Sequence, residues 1–167
     1  MKLIYTLLFS TLIGAVNLNA QRFKSAIELN NYVVSVNDTL YGYGKEWGTA
    51  FQTAHSSSNY EALTPIRMKM ENFVHKKMKE FRSMADYKGS KALTNAAAEF
   101  FKYEAKLILR GFVPFELFDD RTTQAEKTAA LKMLTELTRE EETKMVDLQA
   151  AQEAYGRRNG FSIEPAN

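Results

Sequence analysis

The chain has 167 residues, with 22 Lys and Arg against 20 Asp and Glu, 45% hydrophobic residues and no cysteine. A balance this close to neutral argues against a dedicated nucleic-acid binder, which needs a basic face to meet phosphates. The lack of thiols removes disulfides and thiol-linked lipid, so one domain of this length must be stabilised by packing alone.

The first twenty residues read as a targeting segment. Lys2 is followed by an apolar run from Leu3 to Val16 and then by Leu18-Asn19-Ala20, a secretory signal pattern with cleavage expected after Ala20. The run is short for a membrane span, which takes about 20 apolar residues, and no second apolar stretch follows. A retained amino-terminal anchor is the alternative. After cleavage the chain would begin at Gln21, lose only Lys2 among its charges, and carry 21 basic against 20 acidic residues. The small basic region and Gln21 suit export in a Gram-negative bacterium, to the periplasm or the cell exterior.

The next stretch predicts a helix from about Arg22 to about His55, with Phe23, Ile27, Val33, Val34, Leu40, Trp47 and Phe51 on its apolar face. A seven-residue spacing runs through it. One series is Ala26, Val33, Leu40, Trp47, Ala54; the other is Phe23, Asn30, Asn37, Gly44, Phe51, in which three of the five positions are amide or glycine. Gly42, Gly44 and Gly48 each weaken a helix by roughly 0.5–1 kcal/mol relative to Ala. They predict a close neighbouring backbone or a local kink, with a groove lined by Tyr41, Tyr43 and Trp47 as the functional alternative.

Two starts are available to helix two, a capping box at Ser58 to Glu61 and a Thr64 cap with Pro65 at the first helical position. Leu63, Ile66, Met70, Phe73, Val74, Met78 and Phe81 supply the buried stripe as far as about Met84, and the lysines and arginines lie on solvated sides. Helix three is expected after a Ser90 cap, burying Leu93, Ala97, Phe100, Leu107 and Ile108. Glu104 falls on its apolar side, as a snorkelling edge residue or, alternatively, a buried carboxylate.

Gly111 to Phe118 should end that helix and then carry Phe112, Phe115 and Phe118 in an unusually apolar connection. It reads as a lid over the end of a bundle, or else as an exposed interaction patch. A Thr123 to Glu126 capping box opens the last and longest helix, which ends near Arg158 at an Asn159-Gly160 stop. Ala130, Leu131, Leu134, Leu137, Met145, Leu148 and Tyr155 form its stripe, interrupted by Thr138 and Glu141. Phe161 to Asn167 reads as a loose tail. The expected fold is all-α, an up-and-down four-helix bundle over residues 21–160.

No catalytic constellation, cofactor signature or metal-ligand spacing emerges. The Glu-x-x-His pairs of di-iron bundles are absent, and His55 and His75 are the only histidines, with His75 pointing away from the core. Asn37-Asp38-Thr39 matches a glycosylation acceptor but sits inside a helix. What remains is a polar layer: with alternating helices, Asn37, Glu104 and Glu141 fall at similar depth, with Asn30 one heptad away. Such a layer fixes register or holds a small polar ligand or ion.

The run Leu29-Asn30-Asn31-Tyr32-Val33-Val34, with Asp86-Tyr87-Lys88-Gly89-Ser90 followed by Ala96-Ala97-Ala98-Glu99-Phe100-Phe101-Lys102-Tyr103, resembles an uncharacterised family of exported bacterial surface proteins first named from leptospires. The resemblance spans about Ser25 to Gln149. It implies an exported helical bundle and carries over no active-site residue. Members are often described as lipoproteins, from which this cysteine-free chain departs. The expected function is a binding or interaction module with an unidentified protein or small-molecule partner; the alternative is a metal- or ligand-handling protein or enzyme that uses Asn30, Asn37, Glu104 and Glu141.

Overall fold

In chain order the elements are α1 (Ala26–Ser57), α2 (Leu63–Ser83), α3 (Lys91–Leu107), a π-helical turn (Ile108–Phe112), the single-turn α4 (Val113–Glu116) and α5 (Gln124–Asn159). They come from a computed structural model that describes residues 23–163. The expected leader, residues 1–20, and residues 164–167 of the expected tail lie outside the described residues. Among those described, the four long helices form an all-α bundle.

Side-chain pairings fix the directions. Tyr32 meets Phe81 while Tyr43 meets Phe73, so α1 and α2 run antiparallel. On α3 and α5, the hydroxyl of Tyr103 donates to the Leu137 carbonyl at 2.7 Å, whereas the preceding loop meets the far end of α5 through Tyr155 and Tyr87. Gln152 of α5 reaches Asn30 at the start of α1, which closes the ring. The bundle is therefore up-and-down, and no described helix is long and apolar enough to cross a membrane.

The heptad of α1 holds in packing. Ala26, Val33, Leu40, Trp47 and Ala54 are all buried, whereas Ile27 and Val34, expected on the apolar face, are largely exposed. Val36 and Leu29 take their place inside, as the 3.6-residue period requires. Phe81, Phe101, Leu93, Val74 and Leu148 build the fully buried centre, each large side chain stabilising the fold by roughly 1.5–3 kcal/mol.

Helix ends show where local sequence rules were overridden. Ser25 caps α1 by accepting from the Glu28 amide. At α2 neither expected cap forms: Asn59 instead makes a turn with the Glu61 amide, and Thr64 donates its hydroxyl to Glu116 at 2.7 Å. Ser90 accepts from the Tyr87 amide, leaving Asp86 to accept from the Lys91 amide at the start of α3. The Thr123 and Glu126 capping box on α5 is made in full, and Gly160 stops that helix with φ +77°. Phe161 is not loose. Its amide donates to the Gly156 carbonyl and its ring packs on Tyr155.

The expected close approach at the α1 glycines is not found, because a Cβ built at Gly42, Gly44 or Gly48 meets nothing within 4 Å, and α1 continues through all three. The intimate contact lies instead at Gly111 in the π turn, where a Cβ would come 3.1 Å from Leu134 of α5. The extra backbone width of that turn also lets the chain pass into Pro114, which has no amide to donate.

Candidate functional site: a polar cavity inside the bundle

Beyond the packed centre, residues of all four long helices and the π turn line a cavity of about 150 Å³. Its polar lining is Asn37 of α1, Glu104 of α3, and Thr138 and Glu141 of α5. Leu40, Met70, Phe100, Leu107 and Phe112 supply apolar walls, and Tyr41, Gly44 and Met145 line it from the α1 and α5 sides. Tyr41 is 71% exposed and Met145 is exposed as well, so these two form the rim. A broader depression lined by Thr138, Glu141, Glu142 and Met145 shares three of these side chains and forms the approach from solvent.

The electrostatics are unusual for a bundle interior. Glu104 is only 4% exposed, which corrects the expectation of a snorkelling edge residue. Burial, then the Glu141 charge and the hydrogen bond between the two carboxyls, pushes the Glu104 acid up to about 9. Glu141 is raised too, first by burial and then by Glu142, although its hydrogen bond with Glu104 pulls the other way. Glu104 is buried and Glu141 half-buried, and two neighbouring carboxyls withdrawn from water resist ionising together at neutral pH. The pair therefore holds one shared proton, with Glu104 donating to a Glu141 carboxylate.

Two acceptors here have no partner. The Oδ1 of Asn37 and the Oε1 of Glu104 are buried without a hydrogen bond, a condition that costs about 1–3 kcal/mol for a neutral polar group. No basic residue is among the described residues lining the cavity. No group of three or more His, Cys, Asp or Glu among the described residues is placed to hold a metal ion.

Asn30 does not join this site. It is buried one heptad further down α1, and its Oδ1 accepts from Gln152 Nε2 at 3.2 Å, so it is a satisfied interhelical pair. Sequence reasoning missed Gln152, although it stands seven residues beyond Met145 on the same face of α5. It also missed Trp47 Nε1 as a third buried group without a partner.

Phe112, Phe115 and Phe118, expected as a lid or as an exposed patch, point inward. Phe112 and Phe115 are buried and Phe118 is half-buried, so the exposed interaction patch is corrected to an internal plug. Phe112 stacks on Trp47 with ring centroids 4.1 Å apart and roofs the cavity, while Phe115 packs edge-on against Phe51 and Phe118. Arg67 holds the segment down. Its Nε donates to Glu116 Oε1 at 2.8 Å and its Nη1 to Glu71 at 2.5 Å. Burial raises the Glu116 acid, but the hydrogen bonds from Arg67 and Thr64 outweigh it and keep that carboxyl below its ordinary value. His75 lies on the surface 3.8 Å from Glu71, away from the cavity.

No protein-family model, curated protein or solved structure matches this chain.

Proposed function

We propose that the protein is an exported binding module whose site is the cavity between α1, α3 and α5, and that it takes up a small polar-headed ligand there. The observation that carries this reading is the unpartnered pair of acceptors, Glu104 Oε1 and Asn37 Oδ1, on two residues that line a cavity of about 150 Å³ with Tyr41 and Met145 at its rim. A register-fixing layer has its polar atoms bonded to one another, as Asn30 and Gln152 are. The upper layer holds acceptors in excess instead, and an occupant with donors satisfies them. A cavity of this size elsewhere accommodates a molecule of about benzene's dimensions.

Gly44 offers a direct test. A side chain there meets no neighbour within 4 Å at its Cβ and stands on the cavity lining, so Gly44→Leu is expected to fill the site without replacing any of its polar groups. Ligand-observed NMR with a small-fragment set is expected to find binders to the full chain that Gly44→Leu no longer binds, while its melting temperature is unchanged or raised. Fragments that bind both proteins equally place the site elsewhere. Export is supported by the Lys2 to Ala20 pattern and by the resemblance to exported surface proteins. Mass spectrometry of the protein from its exporting cell is expected to find Gln21 first, and retention of residues 1–20 in a membrane fraction sinks that part.

A further inference from the structure

Resting on the cavity reading above, we infer that the ligand is a small organic monocation, a protonated amine on a short apolar body, with its ammonium seated among Asn37, Glu104 and Glu141. The inference comes from matching the inventory of groups on the two sides. Among the residues that line this cavity, the unpartnered buried polar side-chain atoms are both oxygen acceptors, Asn37 Oδ1 and the Oε1 of Glu104, a residue only 4% exposed. An ammonium has three donors and no acceptor. Two of its N–H groups meet these oxygens and the third meets the Glu141 carboxylate.

Charge selects the same class. With one proton shared between the carboxyls, the site carries a single negative charge and no basic residue lines it. One positive charge neutralises it. A neutral alcohol has only one donor for three acceptors, and an anion adds repulsion. A hard divalent cation takes six or more oxygens and generally keeps water among them, whereas the walls beyond the polar end are Leu40, Met70, Phe100, Leu107 and Phe112. Those walls suit a hydrocarbon body. The volume of about 150 Å³ limits it to about six heavy atoms.

The charged groups facing the pair are few, which makes the variants readable. Glu142 lies next to Glu141 on α5, and Tyr103 on α3 feels both carboxyls but spends its hydroxyl on the Leu137 carbonyl and Glu140. Glu141→Gln removes the charge and keeps an acceptor. Glu104→Gln mimics the protonated acid, with a carbonyl oxygen for the ligand and an amide donor for Glu141. The first substitution is expected to abolish the preference for a cation, and the second to preserve it.

The test is isothermal titration of the full chain near neutral pH with four probes: n-butylammonium, n-butanol, butyrate and calcium chloride. Charge-assisted hydrogen bonds are about twice as strong as neutral ones, so butylammonium is expected to bind about tenfold or more tighter than butanol, with butyrate and calcium weaker still. In Glu141→Gln the two affinities converge; in Glu104→Gln the ratio remains within about threefold of the parent. A preference for butanol or butyrate, for calcium at one per chain, or a cation preference that survives Glu141→Gln overturns the ligand class. If butanol binds as well as the amine and Gly44→Leu abolishes both, only the class has failed. If no probe binds, or all bind Gly44→Leu undiminished, the cavity reading fails with it.

Discussion

Asn30 and Asn37 stand one heptad apart on the same helix and face the same neighbour, α5, yet they inhabit different kinds of interior. Around Asn30 the bundle closes: Gln152 answers its amide, Tyr155 donates to the Tyr87 carbonyl, and Ser90 takes the Tyr87 amide, each within hydrogen-bonding distance. Around Asn37 it does not. Asn37, Glu104 and Trp47 keep buried polar atoms without partners, and three glycines leave open space along α1. The lower half pairs its buried amide across the seam, and the upper half leaves its acceptors unpaired beside a cavity. The difference shows that a buried amide in a helix seam has no fixed meaning until the opposing residue is known.

The largest effect that tests this division concerns the roof. If the upper half is a deliberate chamber, its ceiling must be as well packed as the lower core, and Phe115 is fully buried against Trp47, Phe51 and Phe118. Phe115→Ala is expected to lower stability in denaturant melts by about 3–5 kcal/mol, the usual range for truncating a buried Phe. Phe118→Ala, at a half-buried position, should cost less. An unchanged midpoint for Phe115→Ala means the segment is not packed as a roof.

The two asparagines themselves should respond with opposite sign. Asn30→Leu strands the buried Nε2 of Gln152, at a cost of about 1–3 kcal/mol. Asn37→Leu removes an unpartnered oxygen and adds apolar volume beside a cavity, so stability is expected to rise by about 1 kcal/mol or more on the same grounds. Equal losses in parallel chemical melts would erase the distinction between the halves.

Much of this was legible in the sequence, and what was not has identifiable causes. The Ala26 to Ala54 heptad located α1's buried face because apolar periodicity is set by local geometry. Helix rise with alternating directions put Asn37, Glu104 and Glu141 at one depth, and these residues do line one cavity. Asn30 was assigned to that group because its partner stands 122 residues away, a pairing that no local pattern encodes. Glu104 reads as an edge residue in isolation, since only the opposing Glu141 makes a shared proton possible. The caps at Ser58, Thr64 and Ser90 failed for a related reason. Thr64 had a stronger tertiary acceptor in Glu116 than its own helix offered.

Alkaline titration sharpens the comparison further. Glu104 is raised in the folded chain, by burial above all, to about 9 from an ordinary 4.5. The folded state therefore binds more protons than the unfolded state in between. Stability should be full below the ordinary carboxyl range and fall as pH rises toward 9, by at most about 1.4 kcal/mol per pH unit. Glu116, Glu126 and Glu140 are shifted the other way and act on the acid side. Between pH 6 and 9, Glu104→Gln should flatten the slope; if the slope persists, another group is responsible.

The smallest effects come from the glycines, and they separate permissive backbone from required backbone. Gly42 is exposed with no atom within 4 Å of a built Cβ, so nothing in the fold needs it to be glycine. Gly42→Ala should stabilise by about 0.5–1 kcal/mol through helix propensity, and Gly48→Ala, equally unobstructed, by a similar amount. Gly160 is the opposite case: its φ of +77° ends α5 in the left-handed region that a Cβ disfavours, and Gly160→Ala should lower stability by about 1 kcal/mol. Thermal melts of the three variants would show two rises and one fall. A fall for Gly42→Ala or Gly48→Ala would mean that α1 approaches a neighbour, or bends, where the structure shows open space, and the chamber beside Gly44 would then be narrower than its geometry indicates.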